Sequence, residues 1–161
     1  MKVIYSPSGF DKNDEDLIFL AGSIEMGRAK DWQDEFVEIM GNVLVQKQMA
    51  KAPLILNPRR KDWDSSWVQE KDNQQFHQQV SWELSALEQA THVVFFLQAD
   101  TMSPVSLLEL GLYARSGKAV VVCEKGFHRK GNVDIVCERY GISQCATLQE
   151  AANMIIENLS K

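Results

Sequence analysis

The sequence has no run of about 18 apolar residues, the length a helix needs to span a bilayer, so no membrane partner is expected. Its first residues, MKVIYSPSGFDKNDED, turn acidic before a signal-like apolar stretch can develop, and a cytoplasmic location is expected. Cysteine is scarce and odd in number. Cys123, Cys137 and Cys145 show no CxxC spacing, which argues against a disulfide framework or zinc knuckle and leaves buried thiols as the expectation. His77, His92 and His128 share no HxxxH or HxH spacing and do not cluster with the cysteines, so no metal is expected. Positive charge is short as well: 17 Lys+Arg face 22 Asp+Glu, a net charge of −5. Proteins that hold nucleic-acid polymers usually display a basic face, so this balance argues against such a partner while leaving a free nucleotide open. With only 4 prolines, and no repeat, low-complexity segment or obvious linker, nothing divides the chain.

What is present fits one globular domain over residues 1–161: 45% of the residues are hydrophobic, enough to bury a core without disulfides or metal. Apolar runs alternate with amphipathic stretches, which predicts an α/β fold with a mostly parallel sheet. A possible short strand at Val3–Tyr5 precedes LIFLA at Leu17–Ala21, which reads as a central strand buried on both faces. Apolar residues at helical spacing from Trp32 to Leu44 predict a helix over 31–48, and Leu54–Leu56 is the next strand. A 3.6-residue pattern predicts a helix over 76–90, followed by the strand HVVFFL at His92–Leu97. Ser103 and Pro104 read as the N-cap and first residue of a helix running to about Ser116. Ala119–Cys123 is a strand, and a helix near 133–139, an edge strand near 142–145 and a helix from Thr147 complete the chain. The count is five parallel strands in a doubly wound layout, whose ligand crevice lies outside the carboxyl ends of the strands.

The unusual residues collect in the loops at those ends. Glu109 is the only charged residue in SPVSLLELGLYA, in the second turn of a helix that follows a strand. It is either a partly desolvated carboxylate facing the crevice or an ordinary helical Glu paired with a base. Gly22, Ser23 and Ile24, followed by Gly27 and Arg28, form a small-residue turn that either receives an anion or merely ends a strand; no GxGxxG or P-loop pattern accompanies it. Asn57 precedes Pro58, Arg59 and Arg60, which places two guanidinium groups near the crevice mouth, as anion ligands or as a solvated pair balancing Asp62 and Asp64. Trp63 and Trp67 are candidates to stack on a planar base or to plug a sheet edge or interface. Glu83, beside Trp82, offers a second carboxylate useful in glycosyl chemistry, although most helical acids are simply solvated.

Four segments in order, FLAGSIEMGRAKDWQ, LNPRRKDWD, the helix around SWELSALEQATHVVFF, and SPVSLLELGLYARSGKAVVV, resemble the nucleoside 2-deoxyribosyltransferase-like family. That family also includes 2′-deoxynucleoside 5′-monophosphate N-glycosidases. The resemblance covers most of residues 17–123 and implies a flavodoxin-like fold and assembly as a homodimer or larger homo-oligomer with composite sites. The family nucleophile, the Glu of its ELGxA helix, falls on Glu109. A transferase aspartate on the preceding helix falls on Glu83, and another, six residues before the nucleophile, falls on Ser103. That last departure matches the monophosphate glycosidases, where a serine there helps hold the 5′-phosphate. Those enzymes also begin with a GSIxxGR-like turn, matched by Gly22, Ser23, Ile24, Gly27 and Arg28.

The resemblance implies attack of Glu109 on C1′ to form a deoxyribosyl-enzyme ester, with Glu83 or Asp100 protonating the leaving base and no cofactor. A surface around Trp63, Trp67 and Trp82 would shield the ester and stack the incoming base. The expected function is cleavage of the N-glycosidic bond of a 2′-deoxynucleoside or its 5′-monophosphate with transfer to another base. Hydrolysis of the monophosphate and a non-catalytic nucleotide sensor are the alternatives.

Overall fold

The computed structural model describes residues 1–11, 15–25, 29–64 and 66–160. Six strands form one sheet: β1 (Lys2–Tyr5), β2 (Leu17–Gly22), β3 (Leu54–Asn57), β4 (His92–Leu97), β5 (Ala119–Cys123) and β6 (Ser143–Cys145). Their order is β1-β3-β2-β4-β5-β6 and every pairing is parallel. Without β1, this is the 2-1-3-4-5 order of the flavodoxin-like sheet. The expectation of five strands is thus corrected to six. The short first segment, whose side chains are mostly solvent-accessible, becomes a strand because its backbone pairs residue for residue with β3, from Lys2 opposite Leu54 to Tyr5 opposite Asn57.

Five helices cover the sheet: α1 (Trp32–Gln46), α2 (Gln74–Gln89), α3 (Pro104–Tyr113), α4 (Lys130–Tyr140) and α5 (Leu148–Leu159). Because side chains alternate along a strand, β2 sends Ile18 and Leu20 to one face and Leu17, Phe19 and Ala21 to the other. The first face packs on Trp32, Phe36 and Met40 of α1 and Ala151, Ala152 and Ile155 of α5. The second packs on Trp82, Ala86 and Leu87 of α2, Leu110 of α3 and Val133 of α4. Cover on both faces explains why the central strands are nearly continuous apolar runs. Among the described residues no helix is long and apolar enough to cross a membrane. Of the three cysteines only Cys137 is buried; Cys123 and Cys145 are half-buried, so the expectation of three buried thiols holds for one.

The chain order reverses between β2 and β4, and their carboxyl ends open the crevice there. Gly22 is what lets them meet. Its φ is +143°, and a Cβ at this position would lie 2.3 Å from the carbonyl oxygen of Phe96, the atom that accepts the Ser23 amide at 2.9 Å. Gly22→Ala should therefore cost about 2–5 kcal/mol, from backbone strain together with the collision. The urea midpoint should fall accordingly, and a variant within 1 kcal/mol or so of wild type would contradict this account.

Candidate active site

A cavity of about 590 Å³ opens at the carboxyl ends of β2 and β3, between α2 and α3. Its wall takes Gly22, Ile24 and Glu25 from the turn after β2, Pro58 to Lys61 and Trp63 from the loop after β3, Phe76, Gln79, Val80 and Glu83 from α2, and Ser103 to Ser106 and Glu109 from α3. Asp31 and Asp34 at the start of α1, and Tyr5 at the end of β1, complete much of the rim.

Two carboxylates of its wall, Glu109 and Glu83, are withdrawn from water. Glu109 is 7% exposed, and burial with repulsion from Glu83 pushes its carboxyl up to about 8. Among the described residues no hydrogen bond satisfies it, so removal from water is the main influence on its proton. Glu83 is partly accessible, through the cavity, and burial raises its carboxyl to about 7 against the lowering effect of a hydrogen bond from Gln79. That hydrogen bond belongs to a relay: the Gln79 amide donates to Glu83 Oε1 at 2.9 Å and to the Pro58 carbonyl at 2.9 Å, while its oxygen accepts from Ser6 Oγ at 2.6 Å. Glu83 is thereby held in place from the ends of β1 and β3. Gln79 was not among the residues expected at the site, although its position one turn before Glu83 puts both on the same helix face.

The loops after β2 and β4 are joined by hydroxyls. Ser23 Oγ lies 2.7 Å from Thr101 Oγ1 and 2.6 Å from Ser103 Oγ and accepts the Gln98 amide at 3.0 Å. Ser23 is fully buried and absent from the cavity wall, so its hydroxyl tethers loops rather than facing the cavity. Ser103 does precede α3, but the expected cap is not made by its hydroxyl: the residue has φ +45° and its Oγ is drawn into this cluster. The carboxylate of Glu25 accepts the amides of the two residues that precede α3, Met102 at 2.8 Å and Ser103 at 2.7 Å. Glu25 itself has φ +47°, so two left-handed non-glycine residues, each costing about 1–2 kcal/mol, are held by this contact.

The remaining expected residues divide. Ile24, Arg59, Arg60 and Trp63 line the cavity. Arg59 is turned partly inward, donating to the Ala29 and Lys30 carbonyls at 3.2 Å each, with Asp31 at 3.5 Å. Arg60 is not a solvated base: its side chain is 7% exposed, grips Asp62 at 2.6 and 3.1 Å, and lies 4.9 Å over the Trp67 ring. Asn57 is fully buried behind the wall, where its oxygen accepts the Arg59 amide at 2.9 Å. Asp100 is exposed and outside the cavity wall, because the turn after β4 directs Thr101 and Ser103 inward instead. Trp67 packs against Trp63 at 5.1 Å, outside the wall, and Trp82 belongs to the core, against Phe19 and Phe10, with its indole donating to the Ser8 carbonyl at 2.7 Å. Of the three tryptophans only Trp63 presents a surface to the cavity. Gly27 and Arg28 lie outside the described residues.

With this geometry in hand, the sequence profile described as "nucleoside 2-deoxyribosyltransferase like" matches residues 15–127. The chain belongs to the nucleoside 2-deoxyribosyltransferase-like family. A search of curated proteins finds no match. The matched span of this nucleoside 2-deoxyribosyltransferase-like chain runs from just before β2 to just after β5 and so contains both carboxylates, the Gly22 turn and the loop after β3. A nucleoside deoxyribosyltransferase-like function in general follows from that membership.

Proposed function

We propose that the chain transfers a 2′-deoxyribosyl group from a 2′-deoxynucleoside to another base through an ester on Glu109. The observation that carries this reading is the pair of buried carboxyls, Glu109 and Glu83, raised by burial into the neutral range on facing helices of one cavity. A glycosidic bond needs such a pair, one anion and one acid. The singly protonated pair has two tautomers, and positive charge developing at C1′ favours the one with the anion on Glu109.

In that state a Glu109 oxygen attacks C1′ from the face opposite the base. The C1′–N bond breaks, its electron pair stays on the base nitrogen, and the Glu83 proton moves to the base as it leaves. A 2′-deoxy sugar lacks the electron-withdrawing hydroxyl beside C1′, so an oxocarbenium-like transition state forms readily. In the second half, the nitrogen of a new base attacks C1′ and surrenders its proton to the Glu83 carboxylate. The C1′–O bond breaks and Glu109 returns as the anion, with net retention at C1′. Phe76, Val80 and Trp63 give the cavity an apolar, stacking side on which a base can dock while water is kept from the ester.

The test is product analysis. A deoxynucleoside donor incubated with a second free base should yield the exchanged nucleoside, donor consumption should accelerate with acceptor concentration, and the kinetics should be ping-pong. Trp63→Ala should lower exchange by about tenfold while affecting water capture less, since stacking serves the base. Free deoxyribose as the sole second product, at a rate indifferent to any acceptor, would replace transfer with hydrolysis. Binding without any product would replace it with a sensor.

A further inference from the structure

Gln79 sits in the wall of the cavity one turn before Glu83 on α2, and only 5% of it is exposed. Its partners fix which way round the amide lies. The Pro58 carbonyl can only accept, so the atom 2.9 Å from it is the amide nitrogen and the atom 2.6 Å from Ser6 Oγ is the amide oxygen. Both hydrogens of that nitrogen are then committed, one to Pro58 and the other to Glu83 Oε1 at 2.9 Å. An amide hydrogen aimed at Oε1 favours the carbonyl form of that oxygen over its hydroxyl form, because a carbonyl oxygen is the better acceptor. Oε2, which has no hydrogen-bond partner among the described residues, is left to carry the proton.

The far end of this relay lies outside the matched span of residues 15–127. Ser6 is 4% exposed and directly follows β1. The residues after it are fastened to α2 one turn beyond Gln79: the Trp82 indole donates to the Ser8 carbonyl at 2.7 Å, and the Phe10 ring packs on Trp82 at 5.4 Å. The ionisable groups around the cavity are engaged with one another: Arg59 lies 3.5 Å from Asp31, Arg60 grips Asp62, the Tyr5 hydroxyl meets Asp34, and Glu25 accepts the amides of Met102 and Ser103. Lys61 Nζ sits 4.8 Å over the Tyr5 ring. Glu109 on α3 is the charged group coupled to Glu83, and Gln79 is the donor that favours the Glu83 anion against burial.

Resting on the reading of Glu83 as the acid of this site, we propose that Gln79 is a positioning residue that holds the Glu83 proton on Oε2, with Ser6 as the anchor that orients its amide. When the C1′–N bond breaks, the Oε2–H bond breaks with it, the proton passes to the base and the electron pair of that bond stays on the carboxylate. The Gln79 N–H already lies against the other oxygen and stabilises the charge as it forms. In the second half Oε2 takes a proton back from the incoming base. Gln79→Met keeps the volume and removes the amide. Ser6→Ala keeps the amide and removes its anchor.

Two readouts separate this from a merely structural role. In the Glu109→Gln background Glu83 titrates alone, and NMR of its isotope-labelled carboxyl, assigned by its loss when Glu83→Gln is added, follows that proton without turnover. Gln79→Met should raise the titration midpoint by about one pH unit, a tenfold change in the proton equilibrium of the kind one charge-assisted hydrogen bond produces, and Ser6→Ala should raise it by less. In the enzyme with Glu109 intact, Gln79→Met should lower kcat about tenfold with KM little changed and move the falling limb of the pH profile upward, because the last proton of the pair is then held more tightly. Donors whose bases leave without protonation should lose little, whereas general damage to the cavity would slow all donors alike. A folded Gln79→Met whose Glu83 midpoint is unmoved overturns the proposal, as does a loss of rate equal for both classes of donor. Should that variant fail to fold, an unmoved midpoint in Ser6→Ala decides against it. A raised midpoint in a protein that cleaves no donor supports the placement of the Glu83 proton by Gln79 while defeating the catalytic reading of Glu109 and Glu83.

Discussion

Glu109→Gln should reduce glycosidic cleavage by on the order of 10³-fold or more, with substrate affinity little changed, because the proposed bond from Glu109 to C1′ exists only beyond the ground state. Wild type trapped with a slow donor should carry a deoxyribosyl mass on the peptide containing Glu109, and the Gln variant should not. The same substitution should raise stability above pH 4.5. The Glu109 carboxyl is raised from 4.5 to about 8 in the fold, so its contribution is fully favourable below 4.5 and is lost as pH rises through the folded value. A neutral amide of the same size has no such loss, and thermal melts at pH 8 should favour the variant. Retained activity in Glu109→Gln, or an adduct on another side chain, would remove Glu109 from the mechanism.

Glu83→Gln should cut kcat by about 10²- to 10⁴-fold, the range of general-acid help, and should change the shape of the pH profile. With both carboxyls present, activity should rise as the pair loses its first proton near pH 7 and fall as it loses the second near pH 8. Below that window no nucleophile exists, and above it no acid. Removing Glu83 abolishes the falling limb. The rising limb then belongs to Glu109 alone; repulsion from an ionised Glu83 raises only the second proton of the pair, so this limb should not fall below its wild-type position and should stay above an ordinary carboxylate, since burial persists. Donors whose bases leave without protonation should be less affected. An unchanged bell in Glu83→Gln would assign the acid elsewhere. Asp100 is a poor substitute, being exposed and off the cavity wall.

Both substitutions bear on residues that the chain's pattern had already singled out, and the reason is local. A lone acid in an apolar helix that follows a strand marks the carboxyl end of a parallel sheet, and Glu109 is buried there. Two helix starts were legible for the same reason: Asp31 and Thr147 accept the amides of Asp34 and Glu150, contacts three residues long, whereas α2 starts at Gln74, two residues before the expected 76, with Asn73 accepting the amide of Phe76. Ser103 has the right residue type in the right place, yet its hydroxyl is drawn to Ser23 and Thr101, and a carboxylate from another loop accepts the amides of Met102 and Ser103.

The alternation of apolar runs and amphipathic stretches was by itself sufficient for a parallel α/β sheet, for the central strands and for the position of Glu109, because strand and helix periodicities are carried by neighbours within a few residues. Only the tertiary structure decided that Lys2–Tyr5 is a sixth strand, that Trp82 serves the core, that Gln79 steadies Glu83 and that Glu25 binds the amides of Met102 and Ser103. Strand pairing depends on backbone hydrogen bonds that any side-chain pattern permits, and the bonds that place Trp82 and Glu25 join residues more than 70 positions apart. A left-handed glutamate in a turn looks like any other acidic residue until the second loop is folded against it.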